Sequence, residues 1–202
     1  MKFLTRKNRM IAIFTFTSTI IAGAFSMAFS KKVVEPDGPV EPIKSFYEIE
    51  IKDINGNRIE LASYSGKKVM IVNVASRCGY TSQYKNLQAL YENWSDKIEI
   101  IAIPCNDYGG QEPGTNSEIK KFCEVNFNVN FPLTHKVDVK GSNAHSIFLW
   151  AKNNYGNSAI PKWNFHKILI NKDGKIQQTY SSFTKPMSKK IISEIEKILN
   201  KE

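Results

Sequence analysis

Two periods of apolar residues organise this chain, and the points where one gives way to the other mark its elements. Continuous apolar runs at Val69–Val72 and Ile98–Ile103 read as strands buried on both faces. Between them, Leu87, Leu90, Tyr91 and Trp94 recur at helical spacing and predict a helix over Gln83–Trp94. Ile119, Phe122 and Cys123 predict a second helix over Ser117–Val125, started by Thr115 with an acid in its first turn and broken by Asn126–Asn130. A third helix is expected from a cap at Ser142 or Asn143 to about Asn154. Ile191, Ile192, Ile195 and Ile198 lie on one face of a closing helix over Met187–Asn200.

The period shortens to two elsewhere. Phe46–Ile51 and Arg58–Leu61 alternate on either side of Asn55-Gly56, a hairpin by its turn chemistry. Lys167–Ile170 and Lys175–Tyr180 flank Asn171–Gly174 and form a second expected hairpin. The order is hairpin, β, α, β, α, α, β, β, α. Two parallel strands joined by a crossover helix, followed by an antiparallel pair and a last helix, predict an α/β protein. The expected architecture is a thioredoxin-like three-layer α/β/α sandwich with a mixed central sheet.

The N-terminus departs from both periods. Residues 1–10 are basic, and Ile11–Phe29 is apolar but diluted by hydroxyl residues, so residues 1–30 read as a leader. A cleaved signal, a permanent anchor and an organelle-directed leader all remain open, as does a cytosolic form started at Met10 or Met27. Residues 31–44 hold Pro36, Pro39 and Pro42 with Gly38 and read as a linker. One domain then spans 45–202. With 202 residues and 42% apolar content, the chain can build a full core.

Composition narrows the function. The formal charge is +9, but without residues 1–30 only +5 remains, on scattered lysines with no aromatic interleaving. That excludes a nucleic-acid face and leaves room for an acidic partner or anionic lipid. The three cysteines, Cys78, Cys105 and Cys123, form no CxxC and no metal-spaced group with His135, His145 or His166, which read as structural. No metal or other cofactor is implied. Cys78 sits where a buried strand turns into a helix, beside Arg77. Free N–H groups and the helix dipole favour an anion there, and for cysteine the anion is the nucleophilic thiolate. A small buried residue at a strand end is the alternative.

Three separated motifs carry a resemblance. Asn73-Val74-Ala75-Ser76-x-Cys78-Gly79-x-Thr81, Pro104-Cys105-Asn106-x-x-Gly109-x-Gln111-Glu112-Pro113 and Lys162-Trp163-Asn164-Phe165 resemble, in order and spacing, the signatures of glutathione peroxidases. The resemblance covers roughly 45–201. It implies that Cys78 is the peroxidatic residue and that Gln111, Trp163 and Asn164 complete a tetrad of neutral donors around it. Cysteine stands where many relatives have selenocysteine. Cys123 resembles the resolving cysteine of the plant- and yeast-like branch, which implies a Cys78–Cys123 disulfide reduced by thioredoxin rather than glutathione. Cys105 competes for that role. Joining Cys78 to Cys123 is expected to require the helix around Cys123 to unwind. The short segment between Asn143 and Trp163 and the four arginines of the chain (Arg6, Arg9, Arg58, Arg77) imply a monomer or loose dimer. They also imply an open site for hydrogen peroxide and for organic or membrane-lipid hydroperoxides. A redox relay that passes oxidation from Cys78 to another protein, a one-cysteine peroxidase resolved by glutathione, and an inert module of the same fold are the competing readings.

Overall fold

The computed structural model describes residues 30–32 and 44–197. Its centre is a mixed sheet in the order β1-β5-β4-β2-β3. The strands are β1 (Ser30–Lys32), β2 (Lys68–Val74), β3 (Ile98–Pro104), β4 (Lys167–Ile170) and β5 (Ile176–Tyr180). The helices are α1 (Gln83–Trp94), α2 (Asn116–Phe127), α3 (Ser146–Tyr155) and α4 (Lys189–Glu196). β2 and β3 run parallel across the α1 crossover. β4 runs antiparallel to β2, and β5 to β4. This is the thioredoxin-like sandwich that the element order predicts.

Strict alternation on the central strands divides the interior into two layers. Val69, Ile71, Ile101 and Ile103 face one side, where they pack with Phe46, Ile49, Ile51 and the Ile147, Phe148 and Ala151 face of α3. Met70, Val72, Ile100 and Ala102 face the other, against Tyr84, Leu87 and Leu90 of α1, Ile119 of α2 and Ile191 and Ile195 of α4. Both central strands are buried along their whole length, which is why they read as unbroken apolar runs.

The elements differ from expectation in four places. The first predicted hairpin is only a turn. Phe46–Glu48 forms a 3-10 turn capped by Ser45, and a single bridge joins Lys52 to Arg58. Phe46 docks its ring 5.6 Å from Trp150, whose indole N–H donates to Lys44 O at 2.8 Å. That anchorage to α3 replaces strand pairing, although Ile49 and Ile51 still alternate with exposed Glu50. α2 is longer than predicted because Thr115 and Glu118 form a reciprocal capping box, and Asn128 closes the far end at φ 52°. α3 begins at His145, whose Nδ1 accepts from Ile147 N–H at 3.3 Å, rather than at Ser142 or Asn143. Ser30–Lys32, at the expected junction of leader and linker, pairs antiparallel with Tyr180–Gln178 of β5. The rest of the predicted leader and linker, and the end of the closing helix, lie outside the described residues.

β4 carries one costly residue. Lys167 is wholly buried. Its ammonium donates to Gln83 Oε1 at 2.5 Å and to Thr184 O at 2.7 Å, and among the described residues no carboxylate pairs with it. Burial pushes its pKa down to about 7. A lysine whose folded pKa lies below its unfolded one binds fewer protons when folded, so its contribution to stability rises with pH between those two values. Wild type should therefore gain on the order of 2 kcal/mol relative to Lys167→Met between pH 7 and pH 9.5. Urea melts of both proteins at the two pH values check this, and parallel pH profiles would refute it.

Candidate active site

Cys78 lies just past the carboxyl end of β2, in a turn that leads into α1. Thr81 fixes that turn: its hydroxyl accepts from Cys78 N–H at 3.0 Å and donates to Ala75 O at 2.9 Å. Tyr80 N–H points at Cys78 Sγ from 3.4 Å. The sulfur therefore receives a main-chain donor that stabilises negative charge on it. Cys78 is 9% exposed, enough for a small reactant to reach.

The second loop, between β3 and α2, is tied to the first. Arg77 N–H donates to Gln111 O at 3.0 Å, and Ser76 Oγ donates to Glu112 Oε1 at 2.5 Å. Glu112 is fully buried, and burial raises its pKa against the lowering effect of the Ser76 bonds and of Lys136 and Arg77. Gly109, at φ 72°, lets the chain turn directly beside the Gln111 side chain, where a Cβ would stand 3.6 Å from Nε2.

The third loop enters through Asn73 on β2. Asn73 Nδ2 donates to Trp163 O at 3.1 Å, its Oδ1 accepts from His166 N–H at 3.1 Å, and its own carbonyl accepts from Phe165 N–H at 2.6 Å. This clasp holds Phe165 at φ 60°, a left-handed conformation that costs a bulky residue about 1–2 kcal/mol. Phe165 is itself buried, edge-on to Tyr84 at 5.4 Å.

The clasp sets out the predicted donors. Trp163 is 41% exposed and leans on Tyr108, ring centroids 5.8 Å apart. Asn164 is fully buried, and its Nδ2 donates to Gln111 Oε1 at 2.9 Å and to Tyr108 O at 3.2 Å. Its two amide hydrogens are thus committed, so Asn164 stands one place behind the expected donor position. By engaging Oε1 of Gln111, it turns the Gln111 amide so that Nε2 is the outward donor.

The cysteines divide by layer. Cys78 and Cys123 belong to the apolar layer under α1, whereas Cys105 belongs to the opposite layer. All three are free thiols. Burial pushes Cys105 and Cys123 up to about 11, which holds both as thiols; for Cys123 the Tyr84 hydroxyl beside it works in the other direction. Cys105 sits beneath the site, 4.0 Å from both Asn73 Nδ2 and Asn164 Oδ1. Two histidines that the sequence keeps apart, His135 and His145, face each other with ring centroids 6.3 Å apart. Among the described residues no group of three His, Cys, Asp or Glu could hold a metal.

Sequence reasoning assigned no role to Asn73, Thr81 or Glu112. Each lies inside one of the three motifs, and a buried polar type at a strand end or tight turn is the signal that would have found them.

A free cysteine at the strand-to-helix turn of such a sandwich, with a main-chain donor on its sulfur and its turn tied to a neighbouring loop, is the arrangement of a thiol-redox enzyme. Its family follows from comparison with known proteins. The sequence model described as "Glutathione peroxidase" matches residues 46–152. The chain is 45% identical over 162 residues to "Glutathione peroxidase-like peroxiredoxin 2" of Saccharomyces cerevisiae, covering 78% of this chain and 98% of that one. It is 41% identical over 164 residues to "Hydroperoxy fatty acid reductase gpx1" of Synechocystis, covering 77% and 96%. A crystal structure titled as apo Trgpx superposes with a TM-score of 0.57 at 33% identity, over 76% of this chain and 97% of that one. The chain belongs to the glutathione peroxidase family, with cysteine at the reactive position.

Thr81→Val keeps the shape of the turn but leaves Cys78 N–H and Ala75 O unpartnered. It should cost about 1–3 kcal/mol of stability and slow the reaction of Cys78 with peroxide about tenfold. Stopped-flow peroxide reduction and thermal melts would measure both. An unaltered rate would mean that the turn does not set the reactivity of Cys78.

Proposed function

We propose that this protein is a thiol peroxidase that reduces hydrogen peroxide and organic hydroperoxides through Cys78 and serves antioxidant defence. The observation that supports it best is the donor set: Tyr80 N–H on Cys78 Sγ, with the Gln111 loop hydrogen-bonded to the residue next to Cys78. The Cys78 thiolate attacks the terminal peroxide oxygen as the O–O bond breaks. The bonding pair leaves on the other oxygen, which takes a proton and departs as water or an alcohol. Gln111 Nε2–H and the Trp163 indole N–H stabilise charge on sulfur and on the leaving oxygen without placing a full charge beside them. Asn164 is a positioning residue for Gln111. Cys78 is left as a sulfenic acid.

Cys123 resolves it in this reading. Its sulfur attacks Cys78 sulfur, the S–S bond forms, and the sulfenic oxygen leaves as water. A dithiol protein of the thioredoxin kind then reduces the disulfide by two electrons. Cys123 shares a layer with Cys78, which Cys105 does not. Of α2 only Ile119 and Cys123 are buried, Phe122 and Phe127 pack half-buried beside Tyr84, and Val125 is exposed. The closing bonds of the helix, from Asn128 N–H and Val129 N–H, converge on Glu124 and Cys123 carbonyls. Unwinding from that end frees Cys123 to approach the 4.4–6.8 Å Cα spacing that a disulfide needs. We further propose that residues 1–30 are a leader into a compartment with its own thiol reductant. The working form in this reading is a monomer or loose dimer.

The test is peroxide consumption by the full chain, coupled in parallel to thioredoxin with its reductase and to glutathione with its reductase. Wild type should turn over with thioredoxin, Cys78→Ser should be inert, and Cys123→Ser should consume one equivalent of peroxide and stop. Equal turnover with glutathione, indifferent to Cys123→Ser, would overturn the two-cysteine mechanism.

A further inference from the structure

One buried oxygen of Glu112 takes no part in the attack on peroxide. The side chain is fully buried, and Oε1 accepts from Ser76 Oγ, but Oε2 has no hydrogen-bond partner. Tyr84 Oη is a second buried oxygen left without an oxygen or nitrogen partner. Buried polar atoms are nearly always paired, so two such atoms side by side point to a role.

Both lie around one thiol. Glu112 lines a cavity of about 230 Å³ with Ile119 and Phe122 of α2. Tyr84 packs on Phe127 of the same helix, ring centroids 5.2 Å apart. Ile119 and Phe127 stand one turn on either side of Cys123. The Tyr84 hydroxyl interacts with both the Cys123 thiol and the Glu112 carboxyl. The pair is also fixed to the turn of Cys78, where Cys123 has to arrive. Ser76 stands two residues before Cys78, and Tyr84 N–H donates at 3.1 Å to the carbonyl of Thr81, whose hydroxyl holds Cys78 N–H. Exposed Arg77 and Glu118 line the cavity and lead it to solvent.

Cys123 needs such neighbours. Burial keeps the proton on its sulfur, with Glu112 and exposed Glu124 acting in the same direction, yet a sulfur that attacks a sulfenic acid has to lose that proton. Burial raises the Glu112 carboxyl above its ordinary value and so makes it a stronger base. The cations facing it, Lys136 and Arg77, oppose that rise, and the Lys136 ammonium is engaged by the Glu112 and Gly114 carbonyls. Burial pushes Tyr84 up, so its hydroxyl keeps a proton to pass on.

We propose that Glu112 is the proton acceptor for Cys123 during disulfide formation, with the Tyr84 hydroxyl as the relay between them. As Cys123 sulfur bonds to Cys78 sulfur, its proton passes to Tyr84 Oη and the Tyr84 proton passes to Glu112 Oε2. The S–O bond of the sulfenic acid breaks, its pair leaves on oxygen, and that oxygen takes a proton from solvent and departs as water. Glu112 returns its proton to solvent through the cavity. The relay rests on the two-cysteine reading and deepens it.

The test is a single turnover of the reduced full chain with one equivalent of hydrogen peroxide, quenched at intervals. Dimedone trapping, alkylation and mass spectrometry follow the Cys78 sulfenic acid and the Cys78–Cys123 disulfide separately. In wild type the disulfide step should hold steady from pH 7 to 8.5 and slow on the acid side as Glu112 takes up a proton. Glu112→Gln keeps an acceptor for Ser76 Oγ but cannot take the proton. Its disulfide step should be about a hundredfold slower at pH 7 and should quicken about tenfold per pH unit. Tyr84→Phe keeps the ring packing and should shift the rate and the profile in the same direction. A wild-type disulfide step that quickens tenfold per pH unit over that range overturns the relay. So does either variant with the wild-type rate, or an equal slowing of sulfenic acid and disulfide formation, since the pair would then only hold the turn. A wild type that reaches the sulfenic acid and forms no Cys78–Cys123 disulfide would refute the two-cysteine reading together with the relay, whereas a disulfide formed at one rate in all three proteins refutes the relay alone.

Discussion

The site depends on one amide at the end of one strand. Asn73 uses both ends of its side chain and its carbonyl to hold the Trp163–His166 segment against β2. Without that clasp the left-handed Phe165 would be held only by its own burial and by the bonds of Asn164 to Gln111, Tyr108 and Ser182, and Trp163 would lose its tie to β2. Asn164 in turn orients Gln111. These groups thus form a chain that begins in a strand buried along its whole length. Groups fixed in this way need little reorganisation when charge develops in the transition state.

The two-sided sheet explains why three buried cysteines are not equivalent. Alternation along β2 and β3 sends Cys105 to the α3 side, where it packs under the clasp. Cys78 and Cys123 fall on the α1 side. α2 is closed at both ends, by its capping box and by the left-handed Asn128, while Val125 near its end is exposed. In the proposed resolution by Cys123, that second closure opens so that the residue can leave its place. Burial holds Cys123 as a thiol in the reduced protein.

Much of this was legible in the residue pattern. The buried runs gave β2 and β3 because both faces of those strands are covered, and α1 follows its apolar spacing to the residue. The first hairpin was misread because alternation reports which side chains are buried, and Phe46 achieves that by docking on α3 rather than by pairing. The start of α3 was misplaced because a histidine, a less usual cap, took the role expected of Ser142 or Asn143. In the site, Cys78, Gln111, Trp163 and Asn164 were named from their motifs, and the structure hydrogen-bonds Asn164 to Gln111 and the turn of Cys78 to the Gln111 loop. The indirect part of Asn164 was not legible, because sequence shows which groups can donate and only geometry shows where their hydrogens go. Glu112 read only as a member of its motif, and its unpartnered Oε2 becomes visible only with the cavity beside it.

The central claim is that oxidation on Cys78 passes to Cys123. The most direct measurement is disulfide mapping. Reduced full-length protein is treated with one equivalent of hydrogen peroxide, its remaining thiols are alkylated, and it is digested without reductant for mass spectrometry. The account predicts a peptide pair joined through Cys78 and Cys123, with Cys105 alkylated. A Cys78–Cys105 pair, or Cys78 carried on to sulfinic acid with Cys123 alkylated, would contradict it.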